Sequence, residues 1–366
     1  MVTSVTRGGH TLVARLDNAG DVLLAGPAVR AVAAGSDRVT LLAGPQGAAA
    51  GRLLPGVDEV VTWKCPWIDA SPDPVRRDDV EDLVRVLGER QFDRALVLVS
   101  FHQSPLPLAL LLRMAGVPWV GAVSVDYPGS LLDLRHHVEE DLPEAERALS
   151  LALAAGFALP DGDTGALAVR RPLPDVADLL PDGPFVVLHP GTSVPARAWP
   201  AERYAEAVRL LTAEGRSVVV TGAPSEQQLT ARVAAGTDAA DPVTDLVTDL
   251  GGRTTLAELA GVLDAADVVV VGNTGPAHLA AAVSTPVVSL YAPTVPAARW
   301  APYAVPTVLL GDQQAVCRDT RVTRCPFPGH PCLTSVTADE VVAAVATLAP
   351  QPTAQPAAEL VERRTA

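Results

Sequence analysis

Positive charge is scarce in this 366-residue chain: 28 lysines and arginines face 42 acidic residues, the net charge is −14, and only Lys64 is a lysine. Nucleic acid and anionic membranes are gripped by clustered Lys and Arg that displace counterions. The balance therefore argues against a nucleic-acid partner and leaves room only for a local basic pocket. Lysine's near-loss, beside so much Ala, Val, Gly and Pro, is read as the mark of a GC-rich genome and not of a function. No apolar run reaches the ~18 residues that a membrane-spanning helix needs, so no transmembrane segment is expected, although peripheral contact is allowed. A basic segment followed by an apolar core and a cleavage site is also missing at the N-terminus, which points to a cytoplasmic protein. Four cysteines make no disulfide scaffold at this length. Cys317, Cys325 and Cys332 lie near His330 in the sequence, but the paired Cys-x-x-Cys of a zinc knuckle is lacking, so a reduced, structural loop is expected there. There is no short internal repeat.

What is present is globular composition, 48% hydrophobic and 19% charged, in a chain long enough for two domains of about 150–180 residues. The most informative stretch runs from Asp267 to Pro286. Four consecutive valines, 268–271, are too β-branched for a preferred helix and read as a buried strand of a parallel sheet. Gly272, Asn273, Thr274 and Gly275 then turn the chain, Pro276 suits the start of a helix, and an Ala-rich run continues it. Backbone N–H groups and the positive helix end meet at such a turn, where open α/β sheets bind phosphate. An ordinary strand-to-helix turn without a ligand is the plainer alternative.

The same grammar recurs along the chain. A strand at 11–16 is followed by a turn carrying Asp17 and Asp21 and then by helical spacing; Asp21 either works as an acid or base or simply caps that helix. Strands are expected at 39–42, 59–62, 95–99 and 117–120, and helices at 79–87 and 143–155, the latter ended by Gly156. His102 and Gln103 follow the strand at 95–99 and fall at the same sheet edge as Asp21, where a loop histidine is ordinarily solvated or structural. The stretch 159–184, rich in Pro, Asp and Gly with one strand at 166–169, marks a boundary near residue 180. Beyond it come strands at 185–189, 217–221, 247–250, 286–290 and 305–310. Helices are expected at 201–214, with Tyr204, Val208 and Leu211 inward, and at 225–235, 255–265 and 338–348. Domains of 1–180 and 181–348 result, each doubly wound and facing the other across a cleft, with a disordered tail at 349–366.

Three loops converge on that cleft. The second half supplies Thr192, Ser193, Arg197, Thr274 and backbone N–H groups, a donor-rich set suited to a diphosphate; the first half supplies carboxylates. A carboxylate base on one wall and a diphosphate clamp on the other fit glycosyl transfer from a nucleotide sugar, with the clamp standing in for a metal ion. An ordinary aspartate, with a pKa near 3.9, is a poor base, so burial or Asp17 must raise that of Asp21.

Three segments then carry a family resemblance: Arg15-Leu-Asp-Asn-Ala-Gly-Asp-Val-Leu-Leu-Ala-Gly-Pro-Ala, His189-Pro-Gly-Thr-Ser followed by Arg197-Ala-Trp-Pro, and Gly272-Asn-Thr-Gly-Pro-Ala-His-Leu-Ala-Ala-Ala. Tyr291-Ala-Pro-Thr, Arg299-Trp-Ala-Pro-Tyr and the late cysteine segment add weaker support. Together, over residues 11–345, the chain resembles glycosyltransferase family 9, the ADP-heptose:lipopolysaccharide heptosyltransferases of GT-B fold. The resemblance implies an inverting transfer without metal or cofactor, from a nucleotide-sugar donor such as ADP-heptose, in lipopolysaccharide core biosynthesis. It makes Asp21 the base and sets Arg197, Thr192 and Ser193 on the donor phosphates, with Asn273, Thr274, Gly275 and His278 beside them. Two departures stand out: Asn273 occupies a position where relatives commonly have Asp, and Arg197 one where the best-known members have Lys. The charge of −14 suits a phosphorylated core acceptor poorly, so another envelope glycan or a small-molecule acceptor competes with it. The alternative from another class is a sugar-nucleotide-binding regulator or subunit without turnover.

Overall fold

A computed structural model describes residues 8–138, 141–236 and 246–349. The first sheet is built of His10–Arg15 (β1), Arg38–Ala43 (β2), Glu59–Thr62 (β3), Arg94–Val97 (β4), Val120–Val123 (β5) and Leu134–His136 (β6). The second is built of Phe185–His189 (β7), Ser217–Val220 (β8), Val247–Asp249 (β9), Val268–Gly272 (β10), Val287–Leu290 (β11) and Thr307–Leu310 (β12). Their orders, β3-β2-β1-β4-β5-β6 and β12-β11-β10-β7-β8-β9, are the same doubly wound arrangement used twice. All the pairings are parallel. Each order reverses once, at β1/β4 and at β7/β10, and loops leaving the carboxyl ends of strands there splay apart and make room for a ligand.

The valine strand β10 lies between β7 and β11 with every residue buried, as its lack of alternation requires. The helix after it is Gly275–Ala282, with Thr274 as N-cap and Pro276 within its first turn. The inward face of helix Ala201–Ala213 is Tyr204, Val208 and Leu211, as its spacing requires. Gly156, at φ +88, ends helix Glu144–Ala154 through bonds from Gly156 N to Leu153 O and from Phe157 N to Ala152 O.

Two sequence expectations need correction, and some elements had no counterpart among them. The strand expected at 117–120 is β5, because Val117 N is used to close the preceding turn on Leu112 O and pairing starts only at Val120. Residues 166–169 form no strand: Leu167 and Val169 are buried against the helical layer, and Arg170 N donates to Leu53 O. Helices Ala48–Leu53 and Leu106–Met114 and the short β6 went unanticipated. Helix Leu106–Met114 is nearly all apolar, so periodicity does not mark it out. Of the tail expected at 349–366, Ala349 is buried and donates from its N to Val345 O, closing the last helix, while 350–366 lie outside the described residues, among which no helix is long and apolar enough to cross a membrane.

Candidate active site

Arg15, the last residue of β1, is the hub of the first lobe's side of the cleft. Its guanidinium is only 3% exposed and contacts Asp17 Oδ2 at 3.0 Å, Asp21 Oδ1 at 2.9 Å and Glu144 Oε2 at 3.5 Å. It also donates to Ser100 Oγ at 2.8 Å. Burial opposes its charge, but Asp17, Asp21 and Glu144 outweigh that and hold its pKa above the ordinary value. Asp21 caps nothing: Asn18 is the N-cap of helix Ala19–Leu24, and Asp21 sits in the first turn, its side chain 19% exposed. Asp17 is tighter, held by Arg15 and by Gln103 Nε2 at 2.6 Å. Burial pushes the Asp17 carboxyl up, Arg15 draws it back and Asp21 pushes it further up.

The second lobe supplies donors. Trp199 is packed edge-on against Tyr204 with centroids 4.7 Å apart and donates to Val336 O at 3.2 Å, which anchors the loop bearing Arg197. Arg197 Nη1 makes only a long 3.4 Å bond, to Asn273 O, and its buried Nε has no partner among the described residues. Asn273 Nδ2, His278 Nδ1 and Thr294 Oγ1 are likewise buried and unpartnered. Four such groups on neighbouring loops form an unusual concentration, since buried polar atoms are ordinarily satisfied. Thr274 and Gly275 remain partly exposed, and Ser193 is exposed. Thr192 Oγ1 accepts from Val194 N at 3.2 Å and shapes its own turn.

The lobes meet beside this set. A Cβ at Gly20 would lie 2.7 Å from His278 Cδ2 and 3.3 Å from Gly275 Cα, so the glycine before Asp21 is required by close approach. Burial pushes the His278 imidazole down to about 4, leaving it neutral at pH 7. Trp300 reaches across from the second lobe, its Nε1 donating to Asp21 Oδ1 at 3.4 Å. Its ring lies 5.5 Å from that of Phe101, over which the Arg299 guanidinium sits at 4.3 Å. Arg299 also pairs with Asp141, and Tyr303 Oη donates to Glu146 Oε1 at 3.1 Å. Arg321, from the cysteine-bearing loop, donates to His102 Nε2 at 2.7 Å. The sequence reading gave no site role to Arg15, Phe101, Trp300 or Arg321. Only Arg15 carried a local signal, a charged residue ending a buried strand.

The structure brings Asp21 near Arg197 and His278 and Arg197 to Asn273, with Thr274 and Gly275 opening the helix that carries His278 and Thr192 and Ser193 in the loop before Arg197. Among the described residues no group of three or more His, Cys, Asp or Glu is arranged to hold a metal ion. All four cysteines are free, and burial pushes the Cys332 thiol up to about 12, so it stays protonated.

A family model described as glycosyltransferase family 9 (heptosyltransferase) matches residues 80–330. Lipopolysaccharide heptosyltransferase 2 of Escherichia coli K12 is 27% identical over 235 residues, 57% of this chain and 62% of that protein, so the match spans less than two thirds of the relative. Among solved structures, E. coli ADP-heptose LPS heptosyltransferase II superimposes with a TM-score of 0.69 at 22% identity, covering 93% of this chain and 98% of the other. A family 9 glycosyltransferase from Veillonella parvula reaches 0.75 at 16% identity, covering 94% and 99%. These two carry the fold, GT-B. More distant is the dodecameric, iron-containing glycosyltransferase TibC of enterotoxigenic E. coli, at a TM-score of 0.53 and 14% identity, covering 94% of this chain and 77% of TibC.

Proposed function

We propose, because the chain belongs to glycosyltransferase family 9, that it moves a heptose or related sugar from a nucleoside diphosphate donor to a hydroxyl of a cell-envelope glycan or small-molecule acceptor. The observation that carries this reading is the proximity of the Asp21 carboxylate to Arg197 and His278, whose Nε and Nδ1, like the Nδ2 of Asn273 beside Arg197, are buried without partners among the described residues. ADP-heptose is the first donor to test, because similar proteins are named for it.

In this reading residues 1–180 receive the acceptor and 181–348 the donor. The acceptor oxygen attacks the anomeric carbon as its proton passes to Asp21, while the bond from that carbon to the diphosphate oxygen breaks with its electron pair going to the diphosphate. Displacement in one step inverts the anomeric centre. Arg197, Thr192, Ser193, Asn273 and the backbone N–H groups at Thr274 and Gly275 meet the growing charge. His278, neutral, offers Nδ1 without adding charge. We propose that the step needs no metal ion.

The acceptor is argued from the first lobe's charges. Arg15 is matched by three carboxylates, Lys64 pairs with Asp73 at 2.7 Å, and Arg76 lies 3.6 Å from Asp78 and 3.8 Å from Asp79. Lys64, Arg76 and Trp63 line a hollow of about 380 Å³ shared with Asp73, Asp79 and Asp82. Cations already paired favour an uncharged acceptor over a phosphorylated one.

Incubation with ADP-heptose and a panel of other nucleotide sugars tests the reading. Slow release of nucleoside diphosphate from one donor, unchanged by EDTA, is the expected result. Tight binding without turnover on any acceptor supports instead a non-catalytic binder, a reading favoured by Asn273, which puts a neutral amide where relatives commonly carry a carboxylate. Arg197→Ala removes a charge-assisted contact and is expected to weaken nucleoside diphosphate binding about 30-fold by calorimetry. Unaltered affinity would move the phosphate site elsewhere.

A further inference from the structure

We propose that Arg321 is a second phosphate-binding cation, delivered by the cysteine-bearing loop that is bonded to the loop of Arg197. The inference rests on the nucleotide-sugar reading given above and adds a residue to its diphosphate site.

The backbone places Arg321 with care. Asp319 N donates to Pro293 O and Arg321 N to Thr294 O, both at 2.8 Å, which straps residues 319–321 along the loop that leaves β11. On the other side Ala196 N donates to Thr323 O at 3.0 Å, and His330 Nε2 approaches Ala196 O at 3.0 Å. The Arg321 loop is therefore hydrogen-bonded directly to the loop that carries Arg197. Asp319 and Arg321 hold φ values of 62° and 58°, a left-handed conformation that is costly to a non-glycine residue and persists only where its surroundings impose it.

The side chain is pinned by little. Its hydrogen bond goes to His102 Nε2 at 2.7 Å, and its guanidinium lies 5.6 Å from the Phe101 ring. Among the described residues it forms no ion pair with a carboxylate, in a chain whose acidic residues outnumber its basic ones by 14. Asp17 and Asp21 act on it only at longer range, and it repels Arg197. Two guanidiniums on hydrogen-bonded loops, one with an orphaned Nε and the other resting on a neutral imidazole, are an arrangement that an anion between them stabilises. A phosphate oxygen is a stronger acceptor for Arg321 than the His102 nitrogen, so a bound diphosphate takes the guanidinium over.

Calorimetry with ADP, GDP and UDP, and with the matching nucleosides, tests this on the full chain with Arg321→Gln, Arg321→Lys and His102→Ala, each checked for an unchanged melting transition. For the diphosphate that wild type binds, Arg321→Gln is expected to lose about 10- to 30-fold in affinity, with nucleoside affinity within about twofold. Arg321→Lys should recover part of the loss, and His102→Ala should leave diphosphate affinity unchanged or slightly higher because a competing acceptor is gone. Equal losses for diphosphate and nucleoside, no loss in Arg321→Gln, or a His102→Ala loss matching that of Arg321→Gln would make Arg321 a tie between the lobes and overturn the assignment. If wild type binds none of the three diphosphates, the nucleotide-sugar reading falls as well; if wild type binds one and Arg321→Gln binds it equally, only the present inference falls.

Discussion

Asp21→Asn should lower sugar transfer by about 1,000-fold, the scale of a lost general base, while nucleoside diphosphate affinity stays level or tightens slightly. The asymmetry follows from geometry. Asparagine keeps an oxygen for the bond from Arg15 Nη2 at 2.9 Å and for Trp300 Nε1, so the loop retains its shape. It cannot take a proton from an acceptor hydroxyl at neutral pH, and it removes one negative charge from the gap into which a diphosphate must enter. Single-turnover transfer and calorimetric titration of the same preparation separate the two effects. Equal losses in both would count against Asp21 as base and turn attention to Asp17, whose carboxyl burial pushes up.

Arg15→Met should destabilise the first lobe by about 3–5 kcal/mol, read as a lower denaturant midpoint at unchanged slope. The side chain fits by volume, so the loss is electrostatic. Glu144, 1% exposed, and Asp17, 12% exposed, would share a buried space with their closest cation gone. Arg147 is a poor substitute, at 3.8 Å from Glu144, with burial already lowering its own pKa. A smaller loss that grows as pH rises would mean that the carboxylates escape by taking up protons. A variant as stable as wild type at every pH would show that the cluster contributes nothing net, and Arg15 would then matter only for holding Asp17 and Asp21 in place.

How far these features could be read from sequence depends on how local their causes are. The valines of β10, the glycine stop of helix Glu144–Ala154 and the inward face of helix Ala201–Ala213 are written within a few residues, and they appear as read. Loops at the carboxyl ends of β1, β7 and β10 follow from strand alternation, which is why the loops bearing Asp21, Arg197 and Asn273 are legible as leaving the same ends of their strands. Trp300 meets Asp21 across 279 positions and Arg321 meets His102 across 219, and no periodicity encodes such contacts. Arg15 was hidden for another reason: an arginine ending an apolar strand ordinarily turns to solvent, and here three carboxylates from two segments enclose it.

The close approach of Gly20 to Gly275 and His278 also sets how near the two halves can come. Helix Ala19–Leu24 and helix Gly275–Ala282 meet there with no side chain between them, so any larger residue at position 20 would act as a spacer and move Asp21 away from Arg197 and Asn273.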